Sequence, residues 1–177
     1  MPAAHTKTRS LRARALQWLA QREQSRVELR RKLLRQARAD LAGEEHEEGL
    51  ANVAEQVDAV LDWLEANGYL SAERFVESRV HARAARYGNL RIRQELQQHQ
   101  LGLPGELAQT LGASEIDRAR AVRARRFAEL PRDATERARQ ARFLIGRGFS
   151  PDAVRAALRG ARGDSTEDEP GVTPTGG

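Results

Sequence analysis

Arginine is the side chain through which this chain can do chemistry. Arg26, Arg30, Arg31 and Arg35 fall within ten residues, at spacings that keep them near one face of a helix. Arg91 and Arg93 form a second group, and Arg118, Arg120, Arg123, Arg125 and Arg126 a third. Lysine is nearly absent, with only Lys7 and Lys32. The positive charge is therefore almost all guanidinium, a planar fork that grips carboxylate or phosphate through two bonds at once. That chemistry is recognition of anions. Each arginine also reads as a solvated side chain on a helix face, so these eleven are candidate partner-binding residues.

Nothing else in the sequence is arranged for catalysis. There is no cysteine, which removes thiol nucleophiles, thiolate metal sites and disulfides. Four histidines, at positions 5, 46, 81 and 99, are too scattered to converge on a metal. His46 stands among glutamates in a loop, and His81 reads as a packed core residue. No phosphate-binding glycine loop and no nucleophile elbow occurs. Ser25, Ser71, Ser114 and Ser150 all read as helix caps. The chain is expected not to be an enzyme and to carry neither cofactor nor metal.

Charge is distributed in blocks. Residues 7–38 carry eleven basic and two acidic groups, whereas residues 39–77 carry one basic and eleven acidic. Residues 78–100 and 118–147 are again basic, which leaves a net charge of +5. Fields of both signs steer charged partners. Glu44, Glu45, Glu47 and Glu48 fit either a basic surface on a partner or a solubilising loop. No apolar run approaches the ~18 residues of a membrane span. Met1 to Arg14 is polar and basic with no apolar segment after it, unlike a secretory signal. A cytoplasmic, membrane-free protein is expected.

The elements that position these side chains are helical. One short pattern occurs three times: Ser25, Leu29, Leu33; Gly88, Ile92, Leu96; Ser150, Val154, Leu158. A small helix-starting residue precedes aliphatics one and two turns in, and the copies lie 63 and 62 residues apart. Trp18, His81 and Phe143 each stand seven residues before a copy. Such a period indicates one helical unit used three times, stacked into an elongated array. Hydrophobic content of 40% with 5% aromatics suits a thin helical core. The fold class is all-α, with about nine helices in three tandem three-helix repeats: 10–69, 70–113 and 114–162. Residues 1–9 are expected to be a disordered basic arm, and residues 163–177 a disordered acidic, Gly/Pro-rich tail.

Within that plan, Ser25-Arg26-Val27-Glu28 reads as a capping box in which Glu28 reaches back to the helix start. Asn67-Gly68 and Gly148-Phe149 read as left-handed helix stops. A short sixth helix is expected over Pro104 to Leu111, and a seventh from Ser114 to Glu129 with Ile116, Ala119 and Phe127 inward. The eighth, Asp133 to Arg147, is expected to turn Ala138, Ala141, Leu144 and Ile145 inward. Trp63 reads either as packing against the next repeat or as a partly exposed residue that anchors an interface.

Four segments carry a resemblance. They are Arg22-x-x-Ser25-x-x-Glu28-Leu29-x-x-Lys32-Leu33; Gly68-Tyr69-Leu70 with Arg74-Phe75-Val76; Tyr87-Gly88 with Arg91-Ile92-Arg93-Gln94-Glu95-Leu96; and Phe143-Leu144-Ile145-Gly146-Arg147-Gly148-Phe149. In this order and spacing the chain resembles the RecX family of recombination regulators, over about Leu11 to Arg162. It departs from the family's usual pattern at Ser71-Ala72, where two acids are common, and at His99-Gln100, where Lys-Gly is common. Gly102 is then the alternative helix stop.

The resemblance implies three tandem three-helix repeats and a partner, RecA, the ATP-dependent recombinase that polymerises on single-stranded DNA. It implies binding to RecA and to RecA–single-stranded DNA filaments. It further implies inhibition of ATP hydrolysis, strand exchange and co-protease activity, and so modulation of DNA repair and the SOS response. The arginine-rich faces are compatible with that and equally with weak, non-specific contact to a DNA backbone. No long heptad seam is present, so a monomer is expected.

Overall fold

A computed structural model describes residues 10–40 and 47–159. The basic arm and the tail expected from the sequence lie outside the described residues, as do Glu44 and Glu45 of the expected acidic loop; Glu47 and Glu48, expected in that loop, instead begin a helix. Among those described, eight helices follow one another: α1 (Leu11–Leu19), α2 (Arg26–Asp40), α3 (Glu47–Ala66), α4 (Ala72–Ala84), α5 (Asn89–Gln98), α6 (Gly105–Arg126), α7 (Ala134–Gly146) and α8 (Pro151–Arg159). The protein is all-helical.

Two of the nine expected helices are one. The expected sixth and seventh run continuously as α6. Ser114 does not cap a helix there; its hydroxyl donates back to the carbonyls of Thr110 at 3.0 Å and Leu111 at 3.3 Å. A serine that bonds the preceding turn sits inside a helix without ending it.

The chain divides into two compact units. One comprises residues up to Arg83 together with Ile92–Leu107, the other Ala84–Arg91 together with residues from Ala108 on. In the first, Leu29, Leu33 and Ala37 of α2 bury against Val53, Val57, Leu61 and Leu64 of α3 and Ala15 of α1. In the second, Ala119 and Val122 of α6 bury with Leu144 of α7, Phe149, and Ala153, Val154, Ala157 and Leu158 of α8. All six aliphatics of the threefold pattern are buried: Leu29, Leu33, Ile92, Leu96, Val154 and Leu158. Removing one such side chain costs about 2–5 kcal/mol, so the repeat is first a packing device.

Several inward assignments are corrected. His81 is exposed and Phe127 half-buried. Ile116 and Ala138 face solvent, and Ile145 is 59% exposed. On α7 the buried pair is Gln140 and Leu144, one turn apart; Ile145 lies about 100° around from Leu144 and so points outward. Trp63 packs within its own unit. It stacks on Tyr69 with ring centroids 5.5 Å apart, and the Arg12 guanidinium lies 4.1 Å from its ring centre.

The helix starts and stops are mostly as read. Ser25, Ser71 and Ser150 accept from the amides of Glu28 (3.1 Å), Arg74 (3.2 Å) and Ala153 (3.3 Å). The expected capping box is not closed, because the Glu28 carboxylate turns to Arg22, whose Nη1 donates at 3.2 Å. Gly148 has φ +79 and forms the stop after α7, with the Phe149 amide donating to the Leu144 carbonyl at 3.3 Å. After α5 the left-handed residue is Gln100 (φ 59), not Gly102, and the Leu101 amide closes on Leu96 at 3.0 Å.

Gly88, the one non-serine start of the threefold pattern, has a steric reason. Its amide donates to the Arg147 carbonyl at 3.0 Å, and a Cβ there would overlap the Gly148 carbonyl and the Phe149 backbone. Gly88→Ala is therefore expected to destabilise the chain by about 2 kcal/mol or more through overpacking. Gln100→Gly is expected to stabilise it by about 0.5–1 kcal/mol by relieving a left-handed side chain. Urea denaturation followed by far-UV circular dichroism measures both, and opposite signs at the two positions are the expected outcome.

Candidate partner-binding face

Leu29, Leu33 and Ala37 recur at a spacing of four and fix which side of α2 is buried. Arg26, Arg30, Arg31, Arg35 and Arg38 flank that stripe and line a groove of about 720 Å³, with Val27, Leu34 and Gln100 completing its walls. Four of these arginines are the ones that helical spacing singles out. Arg38 is an addition, although it follows Arg35 by three residues on the same helix.

The five differ in what holds them. Arg26 reaches Asp62 at 2.7 Å and Glu65 at 2.6 Å on α3. Arg30 grips both oxygens of Asp58, Nε at 2.7 Å and Nη2 at 2.9 Å. That bond holds the Asp58 carboxyl below its ordinary range. Arg31, Arg35 and Arg38 are exposed, and no ion pair to them is found among the described residues. The α3 acids thus fix two guanidiniums as one wall of the groove, and three face solvent. A row of this kind can bind carboxylate or phosphate groups on a large partner.

The other candidates separate. Arg91 and Arg93 are exposed on α5. Arg118 is turned inward; it donates to the carbonyls of Tyr87 (2.9 Å) and Leu111 (2.9 Å) and to Asn89 Oδ1 (2.5 Å). Burial pulls its pKa down, opposed by the charge of Glu115. Arg120 pairs with Asp117 at 3.0 Å, and Arg123 donates to the Glu129 carbonyl at 2.9 Å. Arg125 and Arg126 join Arg86 and Arg147 around a second hollow of about 470 Å³, floored by Val122 and Phe143. Helical spacing carries no signal for that grouping, because its members come from three separate stretches of chain.

Two polar clusters have no signature in the sequence. Glu115, 7% exposed, accepts from the Asn89 amide at 2.8 Å and from the Ser150 hydroxyl at 2.7 Å. It supplies the cap that Gly88 lacks. His99 sits beside the groove. Its Nδ1 is 2.7 Å from the Ser25 hydroxyl, and its ring meets Phe75 edge-on at 4.8 Å. Burial, then repulsion from Arg79 and Arg31, lowers the His99 pKa, against the attraction of Glu28 and Glu95. Ser25 Oγ and His99 Nδ1 share one hydrogen bond, whose donor is set by the ring tautomer. Glu28 faces burial as its largest influence, yet the Arg22 bond and charge outweigh it and hold that carboxyl below its ordinary range.

Among the described residues no group of three or more potential metal-ligating side chains converges, and no helix is long and apolar enough to cross a membrane. Family models for the second and third three-helix domains of RecX match residues 73–110 and 113–158. A protein of Ralstonia pickettii named Regulatory protein RecX is 47% identical over 154 residues, covering 86% of this chain and 88% of its own length. A protein of the same name from Herbaspirillum seropedicae is 47% identical over 91% of this chain and 96% of its own. Another from Pseudomonas syringae is 40% identical over 93% and 99% respectively.

The depressed His99 pKa has a signed consequence. Between the folded and unfolded values the unfolded chain binds the extra proton, so stability rises with pH there. The contribution of His99 is thus complete above its unfolded value of about 6.5 and is lost as pH falls through the folded one. Urea midpoints are expected to fall between pH 7.5 and 5.5 in the natural chain. His99→Gln is expected to flatten that slope; an equal slope in both proteins removes His99 from the account.

Proposed function

This chain belongs to the RecX family, and on that footing we propose that it is a regulator that binds RecA and its filaments on single-stranded DNA. It limits RecA's ATP hydrolysis, strand exchange and co-protease function, and so modulates DNA repair and the SOS response. It acts in the cytoplasm, as a monomer, by binding and not by catalysis. The observation that supports a binding role most directly is the α2 groove, where Arg31, Arg35 and Arg38 stand exposed beside two arginines anchored by α3. Anchored guanidiniums lose little freedom when an acidic surface docks, and exposed ones supply the attraction.

The same groove suits a phosphate backbone, so DNA contact without RecA is the second reading. Salt separates the two. Backbone binding falls linearly on a log–log plot, by about one unit of slope per phosphate contact. Binding to RecA free of DNA that persists at moderate salt favours the protein partner.

Arg31→Glu with Arg35→Glu breaks no ion pair among the described residues, so the doubly reversed chain is expected to fold. Inhibition of RecA ATP hydrolysis is expected to weaken about tenfold or more, as for loss of roughly 1.4 kcal/mol of interface attraction. Reversal at exposed Arg137 on α7 is the matched control and is expected to change little. Undiminished inhibition by the folded double variant removes the α2 face from the proposal.

A further inference from the structure

Four arginines surround a hollow of about 470 Å³ in the second unit: Arg86 after α4, Arg125 and Arg126 at the end of α6, and Arg147 after α7. Arg125 and Arg147 are held through backbone carbonyls, Nη1 to Ala85 at 3.1 Å and Nη1 to Arg86 at 3.4 Å. Arg147 also lies 5.0 Å from the Phe143 ring centre and 5.6 Å from that of Tyr87. Arg86 and Arg126 are exposed. Carbonyl bonds orient a guanidinium and leave its charge uncompensated. The described residues of this unit hold fourteen basic side chains against six acidic, and all six acids are engaged away from the hollow. Glu115 accepts from the Asn89 amide and the Ser150 hydroxyl. Asp117, Glu129 and Asp152 pair with Arg120, Arg132 and Arg155. Asp133 caps α7, and Glu136 accepts from the Arg132 amide. Four like charges therefore face one hollow with no carboxylate among them.

A cleft lined by one sign of charge concentrates ions of the other, and guanidinium forks bind phosphate oxygens two at a time. Size and lining select a compact ligand. The hollow falls within the roughly 300–1,000 Å³ range of small-molecule sites. Its floor is apolar, Val122 and the half-buried Phe143. A nucleic-acid strand lays its charges out singly, one per about 3.4 Å of axis, so it brings few of them into a space of this size. A di- or triphosphate concentrates them on linked phosphorus atoms. We infer that the Arg86, Arg125, Arg126, Arg147 hollow binds a compact polyphosphate anion, either an inorganic polyphosphate or the phosphate chain of a nucleotide. No glycine-rich loop is needed, because guanidiniums and not backbone amides supply the donors. Arg125 and Arg147 are already oriented and meet the ligand at little entropic cost, while Arg86 and Arg126 add to the charge. Val122 and Phe143 offer an apolar surface to a nucleoside. The site lies within one unit and rests on its geometry, not on the function proposed above.

The test is calorimetric titration of the full chain with inorganic tripolyphosphate in magnesium-free buffer, with arginine Nε–Hε resonances followed by NMR on the same samples. Saturable binding in the micromolar range is expected, with the largest shifts at Arg86, Arg125, Arg126 and Arg147. R86Q/R126Q removes the two exposed guanidiniums. It is expected to keep the natural urea midpoint and to weaken binding about tenfold or more. R137Q/R159Q removes two exposed arginines that do not line the hollow and is expected to bind as the natural chain does. Adenosine triphosphate separates the two sources. Tighter binding than tripolyphosphate, with shifts in the Phe143 ring, assigns a nucleotide; equal or weaker binding assigns an inorganic polyphosphate. Absence of saturation, shifts centred on Arg31, Arg35 and Arg38, or undiminished affinity in folded R86Q/R126Q each overturn the inference. A single-stranded oligonucleotide that shifts the same four arginines at lower concentration than tripolyphosphate overturns it too, and gives the hollow to a nucleic-acid backbone.

Discussion

Helices α2 and α3 carry opposite charge and share one apolar seam, and that pairing decides which arginines remain available. The seam of Leu29, Leu33, Val57, Leu61 and Leu64 supplies the cohesion, since each buried aliphatic is worth about 2–5 kcal/mol against truncation. The bonds of Arg26 and Arg30 to Asp58, Asp62 and Glu65 are partly exposed, and such pairs contribute roughly 0.2–1 kcal/mol each. Their effect is on orientation. They draw two guanidiniums toward α3 and leave Arg31, Arg35 and Arg38 facing solvent. A basic block followed in sequence by an acidic block thus becomes, in space, a half-neutralised ridge.

The threefold pattern solves one local problem in three ways. Each helix start must satisfy amides that have no partner within the helix. At α2 the Ser25 hydroxyl does so, and His99 holds that hydroxyl in turn. At α8 Ser150 does so with Glu115 behind it. At α5 the close approach of the Gly148 turn excludes a side chain at position 88, and Glu115 reaches from α6 to accept the Asn89 amide. One buried carboxylate therefore serves two helix starts. Arg118 stands nearby, bonded to Asn89 and to carbonyls at the end of α4 and beyond.

Features written in local spacing are legible in the sequence. The all-helical class, the six buried aliphatics, the caps Ser25, Ser71 and Ser150, and the stops Gly68 and Gly148 each depend on residues within one or two turns. Features set by distant neighbours are not. Ser114 has the type of a cap, yet the residues around it continue a helix and its hydroxyl turns back on Thr110. The Glu28 carboxylate prefers the cation of Arg22 to its own helix start. His99-Gln100 looks like a defect beside the family's Lys-Gly, but His99 locks onto Ser25, 74 residues away in the chain, while Gln100 takes the left-handed turn itself. For the candidate face, helical spacing groups Arg26, Arg30, Arg31 and Arg35. It has no means of showing that α3 acids hold two of them, or that Arg118 turns inward.

Across these elements one division of labour recurs: aliphatics and buried carboxylates hold the helices, and exposed guanidiniums without carboxylate partners are, on the proposed function, the ones that recognise RecA. Hydrolysis of ATP by RecA on single-stranded DNA, measured with this chain added well below one copy per RecA, tests that account most directly. Strong inhibition at low ratio is the result it predicts, because a few occupied filament positions then govern many subunits. Turnover that stays unchanged at every ratio, with no retention of the chain on RecA filaments, contradicts it.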